Sequence, residues 1–210
     1  MTMQTYIIDY GVGDICSVQR ALEQVGIAAE IGSDPVAVRG AVSLVLAGDG
    51  AFGPAMAELE RLELVQPIKE RVMEGVPILG VGLGLQLLFE GSQESLEVPG
   101  LGLLRGEVRS FPPDLEVPHV GWNQIEIARD SELLEDVPNG SIFYFDHSYV
   151  VVPRRPQDVL TFTEYGVGFV SGVERENVAG FQFHPEKSGT LGLCIYRNFV
   201  RHAEVAKEKY

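Results

Sequence analysis

The 210-residue chain carries only two cysteines, Cys16 and Cys194, far apart in sequence. Two thiols build no disulfide framework, and a reducing, cytosolic location is the simpler expectation. Basic residues are scarce as well: 16 lysines and arginines face 30 aspartates and glutamates, a formal net charge of −14. Such a surface repels polyanions. It argues against nucleic acid and anionic membranes as partners, but not against a small phosphorylated substrate held on a basic partner subunit. No apolar run approaches the roughly 20 residues that span a bilayer. The start leads into the strand-like Tyr6-Ile7-Ile8 without a charged leader or a cleavable apolar segment. A soluble, cytoplasmic protein is expected. Internal repeats, low-complexity tracts and long polar linkers are also missing, so one domain over residues 1–210 is expected, large enough for a substantial core.

What is present is an alternation of apolar strands and helical stretches. Tyr6–Ile8, Ser43–Leu46 and Pro77–Val81 read as buried strands. In the segment Ile15–Val25, Ile15, Val18, Leu22 and Val25 recur at steps of three and four, one face of a helix. A further helix is expected over Ala55–Glu74 and another from Gly84 to Phe89. This order predicts an α/β protein, a mostly parallel sheet with helices on both faces. The second half reads as strands at Leu104–Phe111, Trp122–Ile127, Ile142–Phe145, Val167–Gly172 and Val178–Phe183, with a last helix at about Thr190–Glu208. An open sheet extended by antiparallel strands follows. Its ligands are expected outside the carboxyl ends of the parallel strands, which puts the loops at Gly48, Gly82 and His184 on one rim.

Two stretches on that rim carry candidate chemistry. The first is Pro77-Ile78-Leu79-Gly80-Val81-Gly82-Leu83-Gly84-Leu85-Gln86, an apolar strand, three alternating glycines and a helix start. A dinucleotide site needs Gly-x-Gly-x-x-Gly, and the third glycine stands one position too early. The spacing fits a nucleophile elbow, Gly-x-Nuc-x-Gly, whose central residue is Gly82. The second stretch ends an apolar strand in His184-Pro185-Glu186. Pro185 favours an extended His184, and a carboxylate two residues on can orient the imidazole as a general base. His119 and His147 compete for the role of base. Asp146-His147-Ser148 suggests a serine triad, but neighbours on an extended chain point to opposite faces and cannot relay hydrogen bonds. The four histidines and two cysteines form no zinc spacing. Cys16, in a helix, reads as a small buried or interface residue rather than a nucleophile.

Together these stretches resemble the triad-type glutamine amidotransferases, in which an elbow cysteine pairs with the His and Glu of His-Pro-Glu. More narrowly, the chain is similar to the glutaminase subunits of imidazole glycerol phosphate synthase. Ile8-Asp9-Tyr10-Gly11, Gly50-Ala51-Phe52-Gly53, Gln86-Leu87-Leu88-Phe89-Glu90, Gly121-Trp122-Asn123, His147-Ser148-Tyr149 and His184-Pro185-Glu186-Lys187-Ser188 fall in that family's order over essentially the whole chain. The resemblance implies a flavodoxin-like fold that hydrolyses glutamine and passes ammonia to a cyclase subunit, a (β/α)8 barrel, in a heterodimer for histidine biosynthesis. It implies His184 as base, Glu186 as its orienting carboxylate, and an oxyanion site at Gly48, Asp49, Gly50 and Leu83. Gln86, His147, Ser148 and Tyr149 would contact glutamine, while Trp122, Tyr144 and Lys187 would face the cyclase. It implies no cofactor and no metal.

The departures from the family pattern fall where the chemistry should be. Gly82 stands in place of the nucleophilic cysteine, which removes covalent catalysis. Ala47-Gly48-Asp49-Gly50 replaces Pro-Gly-Val-Gly, and a carboxylate facing the pocket would repel a developing oxyanion. Asp14, Cys16 and Asp146 stand where Asn, a basic residue and an apolar residue are usual. Three functions stay open on these residues: an inactive glutaminase-family subunit, a non-enzymatic module that stabilises or regulates the cyclase, and an amidotransferase subunit serving another acceptor.

Overall fold

A computed structural model describes residues 5–207, with side chains described through Arg201; Met1 to Gln4, and Glu208 at the end of the expected last helix, lie outside. The first half runs β1 (Thr5–Ile8), α1 (Ile15–Gln24), β2 (Ala29–Gly32), α2 (Pro35–Gly40), β3 (Ser43–Gly48), α3 (Phe52–Arg61), α4 (Val65–Met73), β4 (Ile78–Gly82) and α5 (Leu83–Leu87). The second half supplies β5 (Gly91–Ser92), β6 (Ser95–Pro99), β7 (Gly106–Ser110), β8 (His119–Gln124), β9 (Glu126–Ile127), β10 (Ile142–His147), β11 (Tyr149–Pro153), β12 (Val159–Tyr165), β13 (Val167–Arg175) and β14 (Val178–Phe181). Helix α6 (Gly189–Lys207) closes the chain.

Strands β2, β1, β3, β4 and β14 lie side by side in parallel, the 2-1-3-4-5 order of a flavodoxin-like sheet. Beyond β14 the sheet turns antiparallel through β13, β11 and β7, with β12 and β9 branching from β13. Alternation along the parallel strands makes two cores. Ile8, Leu44, Leu46 and Ile78 pack on one face with α3 and α4, and Ile7, Val45, Leu79 and Val81 on the other with α1 and α6. Register places Gly48 opposite Gly82, and Phe181, three residues before His184, opposite Val81. The three loops of the expected rim therefore leave the sheet together.

The single helix expected over Ala55–Glu74 is two. Helix α3 stops at Leu62, Glu63 turns to φ +57°, and the Leu64 amide donates back to the Leu59 carbonyl. Pro67 sits in the first turn of α4, where its missing N–H leaves no bond unmade; in a continuous helix it would have broken one. Helix α5 is shorter than expected, ending at Leu87. Cys16 is exposed at the start of α1, not buried. Among the described residues, no helix is long and apolar enough to cross a membrane.

Candidate functional site

The site is built at the end of β4. Gly82 joins strand to helix at φ +60°, ψ −118°, a backbone state that side chains rarely adopt. A Cβ at Gly84 would run into the Leu46 carbonyl oxygen, so only glycine lets α5 start this close to β3. A Cβ added at Gly82 would lie 3.2 Å from His184 Nε2, 2.9 Å from His184 Cε1 and 2.7 Å from the Gly48 carbonyl oxygen. Residue 82 thus touches the imidazole. The last two distances are tighter than a real Cβ tolerates, so the Gly48 carbonyl must give way to any side chain there.

His184 is 4% exposed. Its Nδ1–H donates to Glu186 Oε1 at 2.8 Å, and the Tyr196 hydroxyl donates to Glu186 Oε2 at 3.0 Å. Burial, then the charge of Glu186, pushes the Tyr196 phenol well above its usual range, which keeps it a donor. The opposite nitrogen, Nε2, is buried without a partner and faces residue 82. The backbone holds the histidine as firmly: its N–H donates to the Tyr144 carbonyl at 2.8 Å, and its own carbonyl accepts from Ser188 Oγ at 2.6 Å. Ser188 Oγ in turn accepts from the Tyr144 amide. Strand β10 and His184 therefore form one hydrogen-bonded unit.

The side facing the base is less finished. Gly48 presents its carbonyl, an acceptor, toward residue 82. Asp49 and Gly50 are exposed, and Leu83 is buried at the start of α5. Asp14, Val18, Ala47, Gly48, Asp49, His184, Glu186 and Lys187 line a crevice of about 10 Å³, room for one water. Asp49 and His184 thus line the same crevice. Tyr10 packs beneath Gly48, its phenol raised by burial and then by the Asp49 charge. Asp14 caps α1, accepting from the Ser17 amide at 3.1 Å and the Ser17 hydroxyl, and these bonds lower its pKa. Two larger cavities, one between α6 and residues 127–137 and one beside β5 and β7, include neither Gly82 nor His184.

The expected glutamine contacts separate into two kinds. Gln86 lies one turn along from Gly82, its Nε2 donating to Gln182 Oε1 at 3.1 Å and to the Tyr149 carbonyl at 3.3 Å. Ser148 and Tyr149 are half-buried beside it. His147 is buried, and both of its ring nitrogens have protein partners. Because a carbonyl only accepts, Nδ1 carries the proton and donates to Tyr149 O at 2.9 Å. Nε2 then accepts from His119 Nδ1–H at 3.0 Å, and His119 Nε2 accepts from Asn123 Nδ2 at 3.2 Å. Burial holds both imidazoles neutral; His147 is pushed down to about 3, with the neighbouring histidines adding to the effect. Neither is placed as the base of Gly82. Asp146 is exposed on the face of β10 opposite His147, so the triad reading fails on geometry.

Trp122 and Tyr144 pair across β8 and β10 with edge-to-face rings 6.0 Å apart, and Lys187 Nζ lies 5.7 Å from the Tyr144 ring centre. Val120, Trp122 and Ile142 are 54%, 60% and 52% exposed, an apolar patch on the two-stranded ribbon. Tyr196 and Gln182 were not expected at the site from the sequence; His119 stood there only as a rival base and Asn123 only within Gly121-Trp122-Asn123, with no sign that the two pair. Only Gln182, inside Gly180-Phe181-Gln182-Phe183-His184, had a local signal.

This combination of a parallel sheet, a strand-to-helix elbow and an apposed His–Glu pair matches a known class. A sequence model of the class-I glutamine amidotransferases matches residues 7–203. The imidazole glycerol phosphate synthase subunit HisH of Moorella thermoacetica is 48% identical over 94% of this chain and 95% of its own. That of Aquifex aeolicus is 50% identical over 96% and 98%. Among solved structures, a glutamine amidotransferase superposes with TM-score 0.75 at 21% identity, covering 95% and 98% of the two chains. A PurLQS structure from Thermotoga maritima gives 0.74 at 18%, covering 96% and 99%; at these identities the likeness is one of fold. The chain belongs to the class-I glutamine amidotransferases and, among them, to the HisH subunits of imidazole glycerol phosphate synthase.

Proposed function

We propose that this chain is the glutaminase-type subunit of an imidazole glycerol phosphate synthase that docks on a (β/α)8 cyclase but does not itself hydrolyse glutamine at a useful rate. The observation that carries the reading is Gly82 at the elbow, in contact with a His184–Glu186 pair whose free nitrogen faces it. In an active site of this design, the base takes the proton of a thiol at position 82, and the thiolate attacks the carboxamide carbon of glutamine. The imidazolium returns its proton to the amide nitrogen, which leaves as ammonia as the C–N bond breaks, and the resulting thioester is then hydrolysed by water. Glycine has no atom to attack with. Water activated by His184 gives a slow route at best. Asp49 beside the base opposes the negative charge that develops on the carboxamide oxygen.

A second reading is a docking module that supports a cyclase working on free ammonia. The exposed patch of Val120, Trp122 and Ile142 with Tyr144 and Lys187 favours it, because docking needs this face and not residue 82. The test compares the chain with its Gly82→Cys variant, each mixed with a cyclase subunit. Glutamine-dependent product is expected only from the variant, and ammonia-dependent turnover from both. Equal glutamine turnover would overturn the inactive reading. Failure to bind any cyclase would favour a subunit serving another acceptor.

A further inference from the structure

Gln182 is fully buried between β14 and His184, its amide N–H donating to the Ser171 carbonyl at 2.9 Å. Its side-chain Oε1 accepts from Gln86 Nε2, while its own Nε2 is buried without a partner. A buried orphan donor is a cost to the fold, so its presence asks for an explanation outside stability. The explanation lies in Gln86. The Tyr149 carbonyl can only accept, so it fixes Nε2 of Gln86 as the atom it meets. The other hydrogen of that nitrogen goes to Gln182 Oε1, which forces the Gln182 amide into the orientation that orphans its nitrogen. The Tyr149 carbonyl is itself held by His147 Nδ1–H.

Both donors of Gln86 are thereby used, and Oε1 has no hydrogen-bond partner among the described residues. Gln86 follows Gly82 by one helical turn, a rise of about 5–6 Å. A glutamine whose carboxamide lies at residue 82 and His184 reaches about that far with its α-ammonium. An ammonium donates only, so it needs an acceptor there. We propose that Gln182 is a positioning residue: together with the Tyr149 carbonyl it locks the Gln86 amide so that only its oxygen meets the ligand, which selects ligands carrying an α-ammonium group. The proposal rests on the reading of this rim as a glutamine site.

Because the chain has no nucleophile, binding is measured without turnover. The test titrates L-glutamine and glutaramate, the same molecule without its α-amino group, into the chain complexed with a cyclase subunit. The parent is expected to prefer glutamine at least tenfold. Gln182→Met removes the shorter of the two bonds that hold the Gln86 amide and leaves only the 3.3 Å bond to Tyr149 O, so glutamine affinity falls about tenfold, glutaramate affinity holds, and the preference collapses. Gln182→Asn withdraws the acceptor without adding bulk and gives the same result should the methionine variant unfold. Gln182→Glu keeps an acceptor for Gln86 and restores the preference. Equal loss for both ligands, or an unchanged preference in a folded variant, overturns the positioning role alone. A parent that binds neither ligand overturns the glutamine-site reading and the proposal with it.

Discussion

The two walls of the site differ in how completely they are built. On the base wall, His184, Glu186 and Tyr196 form a chain in which only Nε2 lacks a partner, and the backbone of His184 is tied on both sides. On the nucleophile wall stand a glycine in a left-handed backbone state, a carbonyl turned inward and an exposed aspartate. The difference teaches that the two walls are held by separate forces. His184 is fixed by its backbone bond to Tyr144 of β10, and through Glu186 by the Tyr196 hydroxyl of α6. The elbow is fixed by the close packing of β3, β4 and α5, in which Gly84 leaves no room for a Cβ and a side chain at 82 would have to displace the Gly48 carbonyl. The residue at the turn can therefore change while the bonds that hold His184 stay in place.

The strongest way to break the contrast is to rebuild the missing group. Gly82→Cys is expected to raise ammonia release from glutamine by ~10⁴-fold or more in the cyclase complex, in line with the size of nucleophile losses in other triads. The same change should lower stability by about 1–3 kcal/mol, because a side chain must accept φ +60°, and a denaturation midpoint measures it. In that background, Glu186→Gln tests whether the base wall works as built. The imidazole loses its charged partner, and kcat should fall by ~10²–10⁴-fold in a coupled ammonia assay. Asp49→Val, also in that background, removes the opposing charge and should raise kcat by ~10-fold; no change would place the carboxylate outside the oxyanion's reach.

A pH titration sharpens the contrast from outside the elbow. Native His147 stays neutral down to about pH 3, whereas an unfolded imidazole titrates near 6.5. As pH falls below 6.5 the unfolded chain therefore takes up a proton that the folded chain refuses. Stability drops by about 1.4 kcal/mol per pH unit from this group, until the folded pKa is reached. Urea midpoints between pH 6 and pH 4 should decline less steeply for His147→Gln than for the parent. Parallel slopes would mean that the buried imidazole is not the group responsible.

Much of this was legible in the sequence, for a physical reason. Strands β1, β3 and β4 are buried on both faces and must be continuous apolar runs, and Gly80 and Gly84 mark the tight turn at the elbow. Where one face is partly open the signal fades. Strand β2 (Ala-Glu-Ile-Gly) went unread, as did β11, which pairs with β7 about 40 positions earlier, and β12, which forms a hairpin with β13. The break between α3 and α4 hid behind an unbroken apolar periodicity, although Pro67 was its visible sign. Within the site, His184 and Glu186 lie two residues apart and could be paired on sight. Tyr196 reaches Glu186 only because α6 folds back, and Gln182 meets Gln86 across 96 positions. Partners chosen by the fold leave no local spacing to find.

Glycine at the elbow also changes what occupancy of this protein means. In a catalytically competent relative, the fraction of sites holding glutamine is a steady state, set by arrival, cleavage and release together. Here, on the proposed reading, it is an equilibrium. Equilibria obey reciprocity: whatever factor a docked cyclase applies to glutamine affinity, glutamine must apply to cyclase affinity. Two titrations on this chain would measure that factor from both ends, each serving as the check on the other.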